Sequence, residues 1–430
     1  MKVALFTLGC KVNQYETQAM EAELAARGHT VLPFDSAADA YIINTCTVTA
    51  VSDKKSRQMI RRARRMNPGG VVAVCGCYAQ TQPEDAKKLG ADLISGSGDR
   101  RAFIRLLENV AANRTLKISV DDAKSRRAFE QLPAGSLEGR TRAMLKVEDG
   151  CLNFCSYCII PYARGPVRSL PIAAAVSQLR RLRSEGFLEL VLTGIEISSY
   201  GTDLEDGSRL IDLAEALCGA EPGMRVRLGS LEPRTITETF CRRAALLPNL
   251  CPQFHLSLQS GCDATLRRMN RKYDTARYRR SVSLLREAFD HPAITTDLIV
   301  GFPGETEEEF AATLRFMEDC AFSSMHIFPY SRRKGTPAAK MEGQIPQAEK
   351  ERRAHIAGNL AQKLRLSYLE ACKGKVLHVL FEQSENGVSS GHAENYVRVS
   401  VPGPGLRGQI RSVAVTGLDK KGENLTGTLC

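Results

Sequence analysis

Absences narrow this sequence first. No run of 18 or more apolar residues occurs in its 430 positions, so no transmembrane helix and no membrane partner are expected. The opening "MKVALFTLGCKVNQ" turns polar too soon for a secretion signal and reads as a first β-strand, so a cytoplasmic protein is expected. There is no Walker loop, no glycine-rich dinucleotide turn and no Ser/His/Asp arrangement, which removes nucleotide hydrolysis, hydride transfer and triad hydrolysis. No internal repeat and no low-complexity tract is present, so solenoids and disordered segments are excluded as well. What remains is 43% apolar and 25% charged, an ordinary globular composition with room for two or three domains.

Charge is unbalanced in a local way. Lysine and arginine number 59 against 48 acidic residues, a formal net charge of +11. Residues 53–66, "DKKSRQMIRRARRM", carry seven basic side chains, and residues 267–280, "RRMNRKYDTARYRR", carry seven more. Two such runs point to a polyanion, of which nucleic acid is the common one. Lys54, Lys55, Arg57, Arg61 and Arg62 are candidate phosphate contacts, with Arg332, Arg333 and Lys334 further along.

Three units are expected. Residues 1–115 alternate apolar runs ("VALFTL", "AYIINT", "VVAVC", "DLISGS") with helical patterns, which implies a doubly wound α/β domain. Residues 116–140 read as a linker. Over 141–365 the alternation resumes with "AMLKVE", "LELVLTG", "RVRLGS", "QFHLSL", "ITTDLIVG" and "SSMHIF", six strand–helix units that suggest a partial (β/α)6 barrel; a long helical pattern begins at 346. Residues 366–430 end in short alternating segments with Gly, Pro and Asn-Gly punctuation, a small all-β barrel of about five strands.

Fourteen cysteines in a cytoplasmic chain speak for metal rather than a disulfide framework. In "DGCLNFCSYCIIPYARG" three of them, Cys151, Cys155 and Cys158, follow the first barrel strand. Four thiolates would saturate a [4Fe-4S] cluster; three leave one iron open. An open coordination position marks a catalytic centre. The amine and carboxylate of S-adenosyl-L-methionine could chelate that iron, and an electron from the cluster could then split the sulfonium to a 5′-deoxyadenosyl radical. A zinc site completed by His255 or Cys262 is the competing reading, although neither residue lies in a ligand-like pair. A second trio is dispersed: Cys10, Cys46 and Cys77 each stand just beyond a strand, and strand ends in a doubly wound sheet converge on one crevice. Cys75 competes with Cys77, but Gly76 lets the backbone turn Cys77 outward. The isolated Cys218, Cys241, Cys251, Cys262, Cys320, Cys372 and Cys430 are expected to be structural.

These motifs carry a resemblance. The loop is similar to the radical S-adenosylmethionine superfamily signature, and "TLGCKVNQYET", "NTCTVT", "GCYAQ" and "TTDLIVGFPGETEEEF" together resemble the methylthiotransferases from end to end. "GCKVNQYET", "KKSRQMIRRARR" and "FPYSRRKGTPAA" look most like the branch acting on threonylcarbamoyladenosine of tRNA. The resemblance implies two [4Fe-4S] clusters, the second on Cys10, Cys46 and Cys77 to hold the sulfur. It also implies methylthiolation at C2 of the adenine at position 37 of tRNA, with an electron-donor protein and a sulfur donor as partners of a monomer. The terminal β-module resembles a TRAM RNA-binding barrel, with Tyr396, Arg398, Arg407 and Arg411 as candidate contacts. A sister enzyme for isopentenyl-adenosine or a ribosomal-protein aspartate, and a non-catalytic iron–sulfur RNA-binding protein, are the alternatives. At barrel strand ends, Thr193, Gly194, Ser230, Glu232, Ser257, Gln259, Gly301 and Pro303 are candidate S-adenosylmethionine contacts, Tyr157 is expected to pack over cluster and adenine, and Glu196 stands where the family often has histidine or asparagine.

Overall fold

The computed structural model describes residues 1–133 and 141–430. The first unit is a six-stranded, wholly parallel sheet: β1 (Lys2–Thr7), β2 (Thr30–Leu32), β3 (Ala40–Thr45), β4 (Val71–Gly76), β5 (Leu93–Ser95) and β6 (Lys117–Ser119), in the order β2-β1-β3-β4-β5-β6. Its central strands, "AYIINT" and "VVAVCG", are buried at every position, as helices on both faces require. The order reverses between β1 and β3, so the crevice at that switch point opens beyond their carboxyl ends. The edge strands β2 and β6 are three residues long and carry little apolar signal. β6 falls in the expected linker 116–140, whose first part therefore belongs to the sheet; its residues 134–140 lie outside the described residues.

Helix α1 (Lys11–Ala26) begins directly after Cys10. It wedges between two cores. Met20 and Leu24 pack with Val3 and Ile42 of the sheet, while Tyr15 and Ala19 join the central core with Leu145 and Leu190. Helix α2 (Ala50–Met66) starts at Thr49, whose side chain accepts from the Ser52 amide. Asp53 stands in its first turn and Arg64 and Arg65 in its last, each sign matching the helix dipole.

The six central strand segments all form, with one difference. The third splits: β7 (Arg142–Lys146), β10 (Glu189–Thr193) and β11 (Arg225–Arg227) make one sheet. β12 (Ser230–Leu231), β13 (Gln253–Leu256), β14 (Ala293–Val300) and β15 (Ser324–Pro329) make another. The short antiparallel pair β8 (Glu148–Asp149) and β9 (Arg168–Ser169) frames the three-cysteine loop. Helix Gln347–Glu370 leads to a closed five-stranded barrel of β16 (Val376–Glu385), β17 (Val388–Ala393), β18 (Arg398–Pro402), β19 (Ile410–Leu418) and β20 (Leu425–Leu429). β17, "VSSGHA", is too polar to announce itself. The turn before it, Asn386-Gly387 with both residues in the left-handed region, is the hairpin signal. Among the described residues no helix is long and apolar enough to cross a membrane.

A candidate double cysteine centre

The loop trio is built locally. Cys151 N donates to Gly165 O at 3.0 Å and Cys158 N to Cys155 O at 2.9 Å; Ser156 donates from its amide to Met269 O and from its hydroxyl to Arg268 O. Cys151 and Cys155 are buried, Cys158 half-buried. The Cys155 sulfur receives Arg271 Nη1 at 3.1 Å. Tyr157 stands edge-on to Phe302, 6.4 Å between centroids, in a small cluster with Met269 and Tyr330.

The dispersed trio is built by topology. Cys10 follows β1, Cys46 follows β3, and Cys77 opens the short helix Cys77–Thr81 after β4. Two glycines make it possible. Gly9 has φ +103°, and a Cβ there would lie 2.8 Å from Cys46 Cβ and 2.9 Å from its sulfur. Gly76 has φ +94°, and a Cβ would meet Thr45 O at 2.4 Å. Cys75 is wholly inside the sheet's core with Val3 and Ile42, turned away from this group.

The trios face each other. Arg164, at the end of the helix Ile160–Arg164 that leaves the loop, donates from Nε to the Cys77 sulfur at 3.4 Å and from Nη2 to Asn13 Oδ1 at 2.7 Å. Cys77 is also near enough to Cys158 to disfavour a thiolate there. Beneath them lies a buried ionic cluster. Glu16 of α1 pairs with Arg164, with Arg100 at 3.0 Å and with Lys146 at 3.2 Å. Asp149 pairs with Lys146 at 3.2 Å and with Arg164 and Arg168 at 3.4 Å. Four cations meet two carboxylates in these pairs, a buried positive excess that suits thiolates and an anionic cluster.

The thiols support metal over nucleophilic chemistry. Burial pushes Cys158 up to about 12 and raises Cys46 and Cys151 too, while Cys10 stands exposed at the rim of its trio. A reactive cysteine needs the opposite shift, whereas a coordinated metal removes the proton outright. Among the described residues no three Cys, His, Asp or Glu side chains close on one point as a single ion requires. A cubane, with anchors further apart, asks for less. Neither His255, held by Thr295 and Asp297, nor Cys262 completes a zinc site.

Polar groups gather at the barrel's strand ends above the loop. Glu148 is buried and held well above the usual carboxyl range; its Oε2 accepts from Glu196 N at 2.7 Å and its Oε1 has no partner. Burial pushes Glu196 up to about 7, against Arg271 and with Glu232. Orphaned buried oxygens such as Glu148 Oε1 are what a polar cofactor satisfies. The other candidates are scattered in role. Thr193 is buried and Ser230 is exposed; Glu232 caps Arg234; Ser257 O accepts from Tyr273; Gln259, at φ +66°, bridges to β14. A Cβ on Gly194 would meet Glu148 Oε2 at 2.7 Å. The space over Gly301 is filled by Lys350, and Pro303 is buried beside it.

The basic residues divide sharply. Lys54, Lys55 and Arg61 project from α2 into solvent, while Arg62 pairs with Asp35. Arg332 donates to Ala339 O. Arg333 corrects the sequence reading: it is buried, bonded to Thr47 and Asp53 at 2.6 Å each, and so clamps the segment after Cys46 rather than meeting phosphate. The run 267–280 is engaged internally as well. Arg268 pairs with Glu309, Arg279 with Asp319 and Arg280 with Glu238, and Arg277 bonds two backbone carbonyls. Sequence reasoning missed Arg164 and Arg271, because neither belongs to a metal-ligand motif. In the second barrel Arg398 bonds Gln383 and Ser390, and Tyr396 stacks on His392.

Comparison with known proteins decides the family. Residues 2–96 match "Uncharacterized protein family UPF0004", and residues 145–317 match the "Radical SAM superfamily". A Bacillus subtilis protein named threonylcarbamoyladenosine tRNA methylthiotransferase MtaB is 39% identical over 407 residues, covering 93% of this chain and 90% of its own. The chain belongs to the radical S-adenosylmethionine methylthiotransferases. Another methylthiotransferase of that name, from Thermotoga maritima, is 37% identical and covers 98% of this chain and 95% of its own. A Symbiobacterium thermophilum tRNA-2-methylthio-N(6)-dimethylallyladenosine synthase is 34% identical over 96% and 92%. In fold, the radical S-adenosylmethionine methyltransferase TsrM from Kitasatospora setae superposes with a TM-score of 0.56 at 15% identity, covering 99% of this methylthiotransferase and 87% of its own chain.

Proposed function

We propose that this chain adds a methylthio group to C2 of N6-threonylcarbamoyladenosine at position 37 of tRNA. One observation carries the chemistry: two three-cysteine groups, 74 residues apart at Cys77 and Cys151, converge across Arg164, each short of the four thiolates that would close a cubane. Relatives named for threonylcarbamoyladenosine reach 36–39% identity over at least 93% of the chain, which favours that substrate over dimethylallyladenosine.

When bound, the loop cluster with S-adenosylmethionine supplies the radical and the methyl group, and the sheet cluster holds the sulfur. The chain's residues do the rest. Cys151, Cys155 and Cys158 anchor one cluster, and Cys10, Cys46 and Cys77 the other. Arg164 and the cations around Glu16 balance the sulfur charge in a dry interior. Glu148 and Glu196 present carboxyls to the cofactor's polar end. Thr193, Gly194, Ser230, Glu232, Ser257, Gln259, Gly301, Pro303 and Tyr157 remain the proposed cofactor surroundings. Lys54, Lys55 and Arg61 of α2 steer tRNA phosphates, and Tyr396 and Arg398 offer a second contact. Residues 1–115, 141–365 and 366–430 are read as the three domains, with helix Gln347–Glu370 crossing the last border as a connector. The protein is taken as a cytoplasmic monomer served by an electron-donor protein and a sulfur donor. Mass spectrometry of tRNA nucleosides from cells lacking the protein tests the reading. Loss of the methylthio form of threonylcarbamoyladenosine alone supports it; loss of another methylthio nucleoside instead refutes it.

A further inference from the structure

A cavity of about 470 Å3 lies where helix α1, the three-stranded central sheet and the second barrel meet, within the range of small-ligand sites. Its walls come from the start of α1, from β7, β10 and β11, and from the face of the second barrel formed by β16, β17 and β18. Lys11 belongs to it and follows Cys10 of the dispersed trio directly in the chain.

Its electrostatics are one-sided. Lys11, Arg142, Arg227 and Arg398 line it, against one carboxylate, Glu382. That carboxylate is already engaged, by Arg142 at 2.7 Å and by His392. Arg227 is neutralised from behind by buried Glu189. Arg398 has only neutral partners, Gln383 at 2.6 Å and Ser390 at 2.9 Å, and Lys11 has no hydrogen-bond or ion-pair partner among the described residues. Two cations therefore face the cavity without a counter-charge.

One aromatic ring completes it. Tyr396 sits in the left-handed region, φ +67°, which aims its ring at the cavity. The ring stacks on His392 at 4.8 Å, with the guanidinium groups of Arg227 and Arg142 at 4.8 and 5.3 Å. Burial works to raise its phenol, but Arg142, Lys11 and Arg227 together hold it below the ordinary value, as the surrounding cations require.

We propose that this cavity is the specificity site for the N6 substituent of the substrate, and that Lys11, assisted by Arg398, takes the carboxylate of the threonylcarbamoyl group. The inference rests on the substrate reading above and deepens it. A dimethylallyl substituent has no charge to offer these cations, so the site discriminates by a charge-assisted hydrogen bond rather than by shape.

The test uses anticodon stem–loop RNAs carrying threonylcarbamoyladenosine or its methyl ester at position 37, bound to the full, iron-loaded chain and followed by fluorescence anisotropy at fixed salt. The wild type binds the acid about tenfold tighter than the ester, the size of one charge-assisted hydrogen bond. Lys11→Met brings the ratio near one while leaving ester affinity in place; Lys11→Arg keeps the preference; Arg398→Met reduces it. Iron content checks that Lys11→Met still loads the neighbouring cluster, and if it does not, the ratios of Arg398→Met and Lys11→Arg decide the matter. An acid-to-ester ratio near one in the wild type, or one unchanged in the Met variants, overturns the proposal. Methylthiolation of both RNAs with equal affinity would sink the pocket and spare the function; methylthiolation of neither would sink the function itself.

Discussion

The two cysteine trios reach similar ends by opposite routes. Cys151, Cys155 and Cys158 come from one loop, held by hydrogen bonds within and beside it. Cys10, Cys46 and Cys77 are gathered from 68 residues of chain by a sheet whose strand order reverses between β1 and β3. The first is set by the spacing of one short loop, which Arg268, Met269 and Arg271 pin from the side. The second exists only while the sheet's register, Gly9 and Gly76 hold three strand ends in place.

The largest effects separate the trios by chemistry. Cys158→Ala is expected to abolish both 5′-deoxyadenosine release and methylthiolation. Cys77→Ala is expected to abolish methylthiolation and keep 5′-deoxyadenosine release. Each should lower iron by about half. Chromatographic assay of both products with iron counting checks this; loss of 5′-deoxyadenosine in both variants would erase the distinction. Next comes the bridge between the trios. Arg164→Met leaves Glu16 short of a buried partner and should cost about 3–5 kcal/mol in denaturant unfolding. Arg271→Met, beside the loop trio alone, should lose less.

A buried network at the border with the second barrel, in contact with neither trio, serves as control. Arg225 and Arg227 hold buried Glu189 at about 2, although burial alone would raise it. Its folded value lies below its unfolded one. The stability it adds is therefore complete above the unfolded value near 4.5 and is lost as pH falls from there through about 2. The difference between wild type and Glu189→Gln should shrink by about 3 kcal/mol across that window, read from paired unfolding curves in which acid effects common to both cancel. The smallest effect belongs to the basic helix beside the dispersed trio. Replacing Lys54, Lys55 and Arg61 by Gln should weaken tRNA binding about tenfold and flatten its salt dependence, whereas Arg279→Gln in the other run should leave both unchanged.

Those two basic runs mark how far the sequence could be read. By composition they are equal, yet in the first Lys54, Lys55 and Arg61 face solvent beside the paired Arg62 and Arg64, and in the second three arginines close ion pairs with Asp319, Glu238 and Glu309. Nothing local distinguishes them, because the partners stand about 40 residues away. The same limit hid Arg164, whose partner Glu16 lies 148 residues earlier, and misassigned Arg333, whose partner Asp53 lies 280 residues earlier. What was legible rested on short-range rules. Apolar runs marked the six central segments, cysteine spacing marked the loop, and strand ends marked Cys10, Cys46 and Cys77 as a group. Cys75 was separable from Cys77 because alternation along β4 points it inward and Gly76 ends the alternation. The weakly apolar β2, β6 and β17 were not legible, since edge pairing and barrel closure rather than burial define them.

The ionic cluster around Glu16 has a consequence for heredity. One helix of the first sheet supplies the anion that Lys146 and Arg164 of the next unit require. Chimeras joining the front of this enzyme to the back of a relative should therefore work only when the relative brings cations to the positions of Lys146 and Arg164. Any junction placed between residues 16 and 164 must match both sides of this buried cluster, even where every cysteine is retained.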